Sequence, residues 1–154
     1  MMEEKGKGKV VLPPVSQVGI IVKDMEKTVE FCSSTFGIGP FKTREVNLEG
    51  VMFRGKPTTV KQKIAFAQAG QVQIELIQPL EGESPHTEFL RDKEEGPNHL
   101  GFLVDDIDKK LTWLAEQGIK PIFSGNPPGV TFAYLNSDKI GGVIIELIQW
   151  KSKV

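Results

Sequence analysis

The sequence predicts an α+β fold, in which two β-α-β-β-β modules form a curved mixed sheet around a central cleft. The pentapeptide IELIQ occurs twice, beginning at Ile74 and at Ile145. A longer segment, QVGIIVKDMEKTVEFC from Gln17, matches HLGFLVDDIDKKLTWL from His99 at a constant offset of 82 residues. The segments GIGPF and GIKPIF follow in the same order. These matches indicate that one unit of roughly 60–80 residues is duplicated along the chain.

Each unit begins with the pattern of a strand followed by a helix. Two short apolar runs are predicted as strands, at residues 18–22 and 100–104. Asp24 and Asp106 come next, each just before apolar residues with helical spacing, and aspartate at this place caps a helix N-terminus. Each helix is expected to end near a glycine, Gly37 or Gly118, because glycine adopts the left-handed conformation that closes a helix.

Three runs of strand character complete each unit. They lie at residues 42–48, 61–69 and 71–78, and at 119–124, 131–136 and 143–149. Between the units, GESPHTEFLRDKEEG predicts a linker helix over residues 84–94, with Ser84 as N-cap and Pro85 at the first helical position. We therefore expect one domain over residues 15–154, after a flexible tail at 1–14. Its modules would span residues 15–80 and 97–150.

Composition narrows the class of protein. The net charge is −1, from 19 basic and 20 acidic residues, which argues against a nucleic-acid-binding surface. No apolar run approaches the ~20 residues that a membrane span requires. The single cysteine, Cys32, cannot form an intramolecular disulfide and fits a reducing compartment, so a cytoplasmic location is expected.

The repeated pentapeptide places a carboxylate inside an apolar run. Strand alternation in QVQIELIQ directs Ile74 and Leu76 toward the helix and Glu75 toward the concave face. Glu146 has the same position in the second copy, where Ile144 and Ile148 flank it. A buried carboxylate without a partner would cost several kcal/mol, so a positive charge is expected beside it.

Gln17 and His99 occupy equivalent positions at the start of their units. If the modules pair about a pseudo-twofold axis, both would face Glu75 and Glu146. One imidazole nitrogen and three oxygen donors suit a divalent ion such as Co, Ni, Zn, Mn or Mg. Taken singly, the glutamates also fit a solvated strand face, and His99 also fits a core histidine. His86, at the start of the linker helix, is expected to be exposed.

The motifs VGIIVKDMEKTVEFC, GIGPF, NHLGFLVDDID and GGVIIELIQ resemble the vicinal oxygen chelate superfamily over about residues 15–150. That superfamily includes glyoxalase I, methylmalonyl-CoA epimerase, extradiol dioxygenases and antibiotic-resistance binding proteins. The frame IQPLEGESP ahead of GPNHLGF is most similar to the methylmalonyl-CoA epimerases. The resemblance implies four metal ligands, at Gln17, Glu75, His99 and Glu146. The order Gln, Glu, His, Glu is similar to that of some glyoxalase I enzymes.

The resemblance also implies a chemistry. We expect a metal-dependent isomerase that takes a proton alpha to a carbonyl, a step shared by epimerisation of a thioester and isomerisation of a hemithioacetal. Glu146 would be the base, Glu75 a ligand and second acid/base, and Lys63 an orienting cation or proton donor where epimerases carry a glutamate. The expected partners are an acyl-CoA or other thioester and a second copy of the chain in a homodimer. The alternatives are a glyoxalase I-like lyase and a non-catalytic small-molecule binding protein.

Overall fold

The fold comes from a computed structural model that describes residues 10–136 and 138–152. Eight strands and three helices lie within these residues. The strands are β1 (Gln17–Ile21), β2 (Lys42–Phe53), β3 (Lys56–Ala69), β4 (Val72–Glu81), β5 (Gly96–Leu103), β6 (Pro121–Gly125), β7 (Val130–Leu135) and β8 (Ile144–Trp150). The helices are α1 (Met25–Phe36), α2 (Pro85–Lys93) and α3 (Ile107–Glu116). This order confirms the predicted pair of β-α-β-β-β modules joined by a helix.

The strands form one mixed sheet that closes into a barrel. Their order around it is β1-β4-β3-β2-β6-β7-β8-β5. Each module contributes four adjacent strands, and the modules meet where β1 pairs with β5 and where β2 pairs with β6. In the β1–β5 pair, Gln17 lies opposite Gly101 and Gly19 lies opposite His99. This symmetric register is the pseudo-twofold relationship that the repeat predicted.

Helices α1 and α3 cover the outside of their own modules. Asp24 caps α1 by accepting a hydrogen bond from the Lys27 amide, and Asp106 caps α3 in the same way. The apolar face of α1 packs on β3 and β4 through a cluster that includes Met25 and Leu76. Leu147 of β8 belongs to the corresponding cluster under α3. Since alternate residues of β4 and β8 pack outward, Glu75 and Glu146 are directed into the barrel.

Helix α2 begins inside the fold. Its N-cap Ser84 is buried and accepts hydrogen bonds from the amides of His86 and Thr87. Farther along α2, Phe89 and Leu90 pack against the apolar cluster of Ile21, Ile64 and Ile77. The linker therefore contributes side chains to the barrel interior as well as joining the modules.

The predicted tail lies partly outside the described residues, since 1–9 are not among them. Val10 and Leu12, from its last part, pack against the apolar cluster beneath α3. No helix within residues 10–136 and 138–152 combines the length and hydropathy needed to cross a bilayer.

Candidate metal centre

Four polar side chains meet where the two modules join along β1 and β5. Gly19 of β1 lies between Glu75 on β4 and His99 on β5. Gly101 of β5 lies between Glu146 on β8 and Gln17 on β1. Two strand rows related by the pseudo-twofold axis thus carry the predicted set: Gln17, Glu75, His99 and Glu146.

The donor atoms of this set converge on the Nε2 atom of His99. Gln17 Oε1 lies 3.0 Å from it, Glu146 Oε1 3.2 Å and Glu75 Oε1 3.3 Å. One ligand atom from each of Glu75, His99 and Glu146 lies within 4.8 Å of the others, and all four side chains are buried. The structure therefore brings together every residue that the sequence predicted as a metal ligand.

The two glycines make room for this arrangement. A Cβ atom on Gly19 would lie 2.0 Å from Cε1 of His99, which is far closer than van der Waals contact. A Cβ atom on Gly101 would lie 2.9 Å from the Cβ of Gln17. The repeated Gly, two residues after Gln17 and after His99, is therefore required because the facing polar side chain occupies its side-chain space.

Two residues that the sequence analysis did not select orient the ligands. Gln17 Nε2 donates to Gln73 Oε1 at 2.9 Å, which turns the amide oxygen of Gln17 toward the centre. His99 Nδ1 lies 3.1 Å from Asn98 Oδ1. Because that oxygen accepts the Nδ1 proton, Nε2 is the nitrogen that faces the other ligands. Gln73 lies two residues before Glu75, so strand alternation puts both on the same face, and this was the signal in the sequence that could have identified it.

The centre carries excess negative potential. Burial alone would lower the pKa of His99, but hydrogen bonds and charge from Glu146 and Glu75 outweigh it and raise the pKa to about 10. Burial raises the pKa of Glu146, partly offset by His99 and reinforced by the charge of Glu75. A cluster that retains protons this strongly is one that a cation stabilises, because a cation neutralises two carboxylates without removing them from their buried positions.

The donor set fits a divalent metal ion. It offers one imidazole nitrogen, two carboxylates and one amide oxygen, which are the ligand types of Zn and of the harder divalent ions. The orienting hydrogen bonds of Gln73 and Asn98 are the outer partners that such ligands require. Glu75, His99 and Glu146 form a three-residue group that could hold a divalent ion.

The centre opens into a cavity of about 490 Å³. Its walls are largely apolar, with Phe66, Phe123 and Phe132 among the lining residues. Glu75 and Glu146 are the carboxylates that line it within the described residues. Pro127 and Pro128 of the GNPPG segment also contribute to the wall. A cavity of this size accommodates a small molecule that reaches the carboxylates.

Lys63 does not reach the cavity. Its ammonium forms a salt bridge of 2.8 Å with Glu26 of α1, on the outer face of β3, and this hydrogen bond raises its pKa. The cavity-facing residues of β3 are its neighbours Gln62, Ile64 and Phe66. The expected role of Lys63 as proton donor or orienting cation is therefore not supported by its position, and Gln62 occupies the inward place beside it.

His86 is buried, contrary to the expectation that it would be exposed. Its side chain is 1% exposed and lines the cavity between Gln62 and Tyr134. The prediction was wrong because α2 starts inside the barrel, so its second residue points inward. Burial lowers the pKa of His86 to about 3, with a smaller contribution from His99, so the ring is neutral near pH 7.

An anionic part of a substrate would need a basic residue in or near the wall of the cavity. Within the described residues, one arginine and no lysine line the cavity. This arginine is Arg44, and it is exposed to solvent. Arg54 is paired with Glu88 and Lys61 lies 4.0 Å from Glu45. Arg44 is thus the residue placed to meet an anionic group entering the cavity.

Comparison with known proteins identifies the family. The family model of the glyoxalase/bleomycin resistance protein/dioxygenase superfamily matches residues 16–134. The chain belongs to this superfamily, which is the vicinal oxygen chelate superfamily that its motifs resemble.

The similar proteins include methylmalonyl-CoA epimerases. The uncharacterized protein YqjC of Bacillus subtilis is 32% identical over 123 residues, which cover 77% of this chain and 88% of that protein. The mitochondrial methylmalonyl-CoA epimerase of Mus musculus is 26% identical over 139 residues, covering 88% of this chain and 72% of the mouse protein.

A variant of the Streptomyces coelicolor methylmalonyl-CoA epimerase, in complex with 2-nitronate-propionyl-CoA, superposes with a TM-score of 0.70 at 23% identity. That superposition covers 92% of this chain and 100% of the Streptomyces chain. The superposition supports the fold.

Proposed function

We propose that this protein is a metal-dependent isomerase that removes a proton alpha to the carbonyl of an acyl-CoA thioester, as a methylmalonyl-CoA epimerase does. The observation that carries the proposal is the convergence of Gln17, Glu75 and Glu146 on His99 Nε2 beside a cavity of about 490 Å³. The similarity to the mouse epimerase, at 26% identity, supports the acyl-CoA substrate class.

The ligand residues and the metal have separate parts in this chemistry. Gln17, Glu75, His99 and Glu146 would hold the ion. The ion would supply Lewis acidity, which stabilises negative charge on substrate oxygens and lowers the barrier to loss of an adjacent proton. Burial of the four side chains keeps bulk water away from the centre, which strengthens every electrostatic interaction within it.

Glu146 is the proposed base. Its carboxylate lines the cavity, and burial raises its pKa, which makes it a better proton acceptor. The carboxylate takes the alpha proton, the electron pair of the C–H bond forms a carbon–carbon double bond, and the carbonyl electrons move to oxygen. Glu75, the other carboxylate that lines the cavity, is the proposed donor of a proton to the opposite face of the same carbon as the electron movements reverse, and this gives the isomerised product. Arg44 at the mouth is placed to hold a carboxylate or phosphate of the substrate.

Exchange of the alpha proton tests the proposal. The protein, loaded separately with Co, Ni, Zn, Mn or Mg, is incubated with methylmalonyl-CoA in deuterium oxide, and deuterium at the alpha carbon is followed by mass spectrometry. Wild-type protein should incorporate deuterium. Glu146→Gln, assayed at a metal concentration that saturates the variant, should lose at least about 100-fold in exchange rate, the scale of one acid–base group. Glu49→Gln, an exposed carboxylate on β2, is the matched control. Unchanged exchange in metal-loaded Glu146→Gln would remove Glu146 from the base role.

A second candidate is a glyoxalase I-like lyase, which is favoured by one observation. Gln62, a neutral amide, stands on the barrel wall opposite Glu146, so the cavity offers no carboxylate there within the described residues. A base acting from one side suits transfer of a proton between neighbouring carbons of a hemithioacetal. The hemithioacetal of methylglyoxal and glutathione, assayed beside methylmalonyl-CoA, separates the two. Turnover of the hemithioacetal without exchange of methylmalonyl-CoA would favour the lyase.

A further inference from the structure

A chain of hydrogen bonds runs along the wall of the cavity, from the metal centre to the opposite side. Tyr134 Oη lies 3.4 Å from His99 Nδ1 and 2.8 Å from His86 Nε2. His86 Nδ1 lies 3.0 Å from Gln62 Oε1. Tyr134 and His86 are buried, and the proposed isomerase chemistry so far assigns no role to His86 or Gln62.

The direction of this chain follows from its first member. His99 Nδ1 faces Asn98 Oδ1, which can only accept, so Nδ1 carries a proton. Because Nδ1 carries a proton, it cannot accept a hydrogen bond from Tyr134, and the Tyr134 O–H donates to His86 Nε2 instead.

The two hydrogen bonds of the His86 ring determine which atom of the Gln62 amide faces His86. Its ring is neutral, so it carries one N–H, and Nε2 already accepts from Tyr134. Nδ1 therefore holds the proton and donates it to Gln62 Oε1. With its oxygen bound in this way, the Gln62 amide has one possible orientation, in which the nitrogen points away from His86.

The Gln62 amide nitrogen faces the cavity. Gln62 lines the cavity, and no protein partner of this nitrogen lies among residues 10–136 and 138–152. In the same residues, no buried side-chain nitrogen or oxygen lacks a partner. The nitrogen is therefore not sealed inside the protein, and its N–H groups are available to a molecule in the cavity.

The position of Gln62 relative to Glu146 is fixed by the barrel. In the order β1-β4-β3-β2-β6-β7-β8-β5, strands β3 and β8 are four places apart in either direction, so they are opposite walls. A substrate between them would meet the carboxylate of Glu146 on one side and the N–H groups of Gln62 on the other.

We infer that Gln62 donates a hydrogen bond to the substrate oxygen on which negative charge develops, and that His86 is the positioning residue that fixes its amide. The inference rests on the proposed function, because proton removal by Glu146 is what places charge on that oxygen. Gln62 gives up no proton in this step, since an amide N–H only donates a hydrogen bond. Such a donor stabilises the charged oxygen more than the neutral carbonyl, which is the requirement for lowering the barrier.

The tautomer of His86 tests the direction of the chain without requiring metal, substrate or activity. The chain contains 2 histidines, so ¹⁵N NMR of histidine-labelled protein gives a simple spectrum, and loss of one set of signals in His86→Phe assigns it. Near pH 7 His86 should be neutral, with the proton on Nδ1. Tyr134→Phe, which removes the donor to Nε2, should give a mixture of tautomers. A proton on Nε2 of His86 in the wild-type protein would overturn the inference.

Ligand binding tests the role of Gln62. The metal-loaded protein is titrated with 2-nitronate-propionyl-CoA, which carries an anionic nitronate, and with propionyl-CoA, which carries a neutral thioester. Gln62→Leu should weaken nitronate binding about tenfold, the scale of one hydrogen bond to a charged group, and change propionyl-CoA binding by less than about twofold. Gln68→Leu, an exposed residue of the same strand, should change neither. Equal losses for both ligands would mean a merely structural role and overturn the inference. If wild-type protein binds neither ligand, the proposed acyl-CoA class fails, while the tautomer still decides the direction of the amide.

Discussion

The imidazole of His99 occupies the space that a side chain on Gly19 would need. The two residues are paired across β1 and β5, and a Cβ on residue 19 would lie 2.0 Å from Cε1 of His99 and 2.3 Å from Nδ1. His99 is itself 1% exposed and held by Asn98 and Gln17. The absence of a side chain on Gly19, in the first repeat, therefore leaves the space that the imidazole of His99, in the second repeat, occupies.

Gly19→Ala should displace His99 and weaken the metal centre. The added methyl cannot be accommodated without moving the ring, and overpacking of this kind costs about 1–3 kcal/mol. We expect a lower midpoint of denaturant unfolding and a loss of about 10–100-fold in affinity for Co²⁺, measured by calorimetric titration. Gly101→Ala provides a graded comparison, because its Cβ would meet the Cβ of Gln17 at 2.9 Å. Wild-type Co²⁺ affinity in Gly19→Ala would contradict the proposed seating of His99.

Asn98→Ala should lower metal affinity without touching the centre itself. Its Oδ1 accepts the Nδ1 proton of His99 at 3.1 Å, and such outer partners are worth about 10–100-fold in metal affinity. Asn98→Asp retains the accepting oxygen and should recover most of the loss. Affinity for Zn²⁺ by competition with a chromophoric chelator is the measurement. Equal weakening in both variants would show that Asn98 acts through packing and not through this hydrogen bond.

Lys63→Met should leave the chemistry unchanged. The Lys63 ammonium pairs with Glu26 on the outer face of β3, away from the cavity. Metal content by elemental analysis and the deuterium-exchange rate with methylmalonyl-CoA should both equal those of the wild-type protein. A large fall in exchange with intact metal content would return Lys63 to the group of catalytic candidates.

The internal repeat made the four proposed metal ligands predictable from the sequence. On β3, however, the cavity-facing position was assigned one residue too late. Alternation within IELIQ gave the inward direction of Glu75 and Glu146, and the offset between Gln17 and His99 gave the rest of the set. Lys63 was placed at the inward position of β3, where the structure has Gln62. Since strand residues alternate faces, a shift of one residue moves the side chain from the cavity to the outer surface.

Other parts of the site depend on contacts between distant segments. His86 follows Ser84 and Pro85, which mark a helix start correctly but carry no information on where that start lies in the barrel. Tyr134 becomes part of the site because β7 pairs with β8 so that Tyr134 lies opposite Glu146. In the first module Phe66 of β3 lies opposite Glu75 of β4 in the same way. Had the register of the β7–β8 pair been known from the sequence, Tyr134 could have been placed beside Glu146.

Removal of divalent ions should destabilise the protein. The ion would bind the folded centre and not the unfolded chain, so it stabilises the fold by about 2.7 kcal/mol at 100 times its Kd. Addition of EDTA to metal-loaded protein should lower Tm by roughly 5–10 °C. Glu75→Gln, which removes one carboxylate ligand, should show a smaller shift. An identical Tm with and without chelator in the wild-type protein would argue against a bound ion.

The central claim is that Gln17, Glu75, His99 and Glu146 hold one divalent ion. The most direct measurement is an anomalous difference map from crystals grown with Co²⁺, recorded on both sides of the cobalt absorption edge. The account predicts one strong peak per chain, about 2.0–2.2 Å from His99 Nε2 and within bonding distance of a carboxylate oxygen of Glu75 and of Glu146. An empty centre at saturating Co²⁺, or a peak elsewhere in the chain, would contradict it.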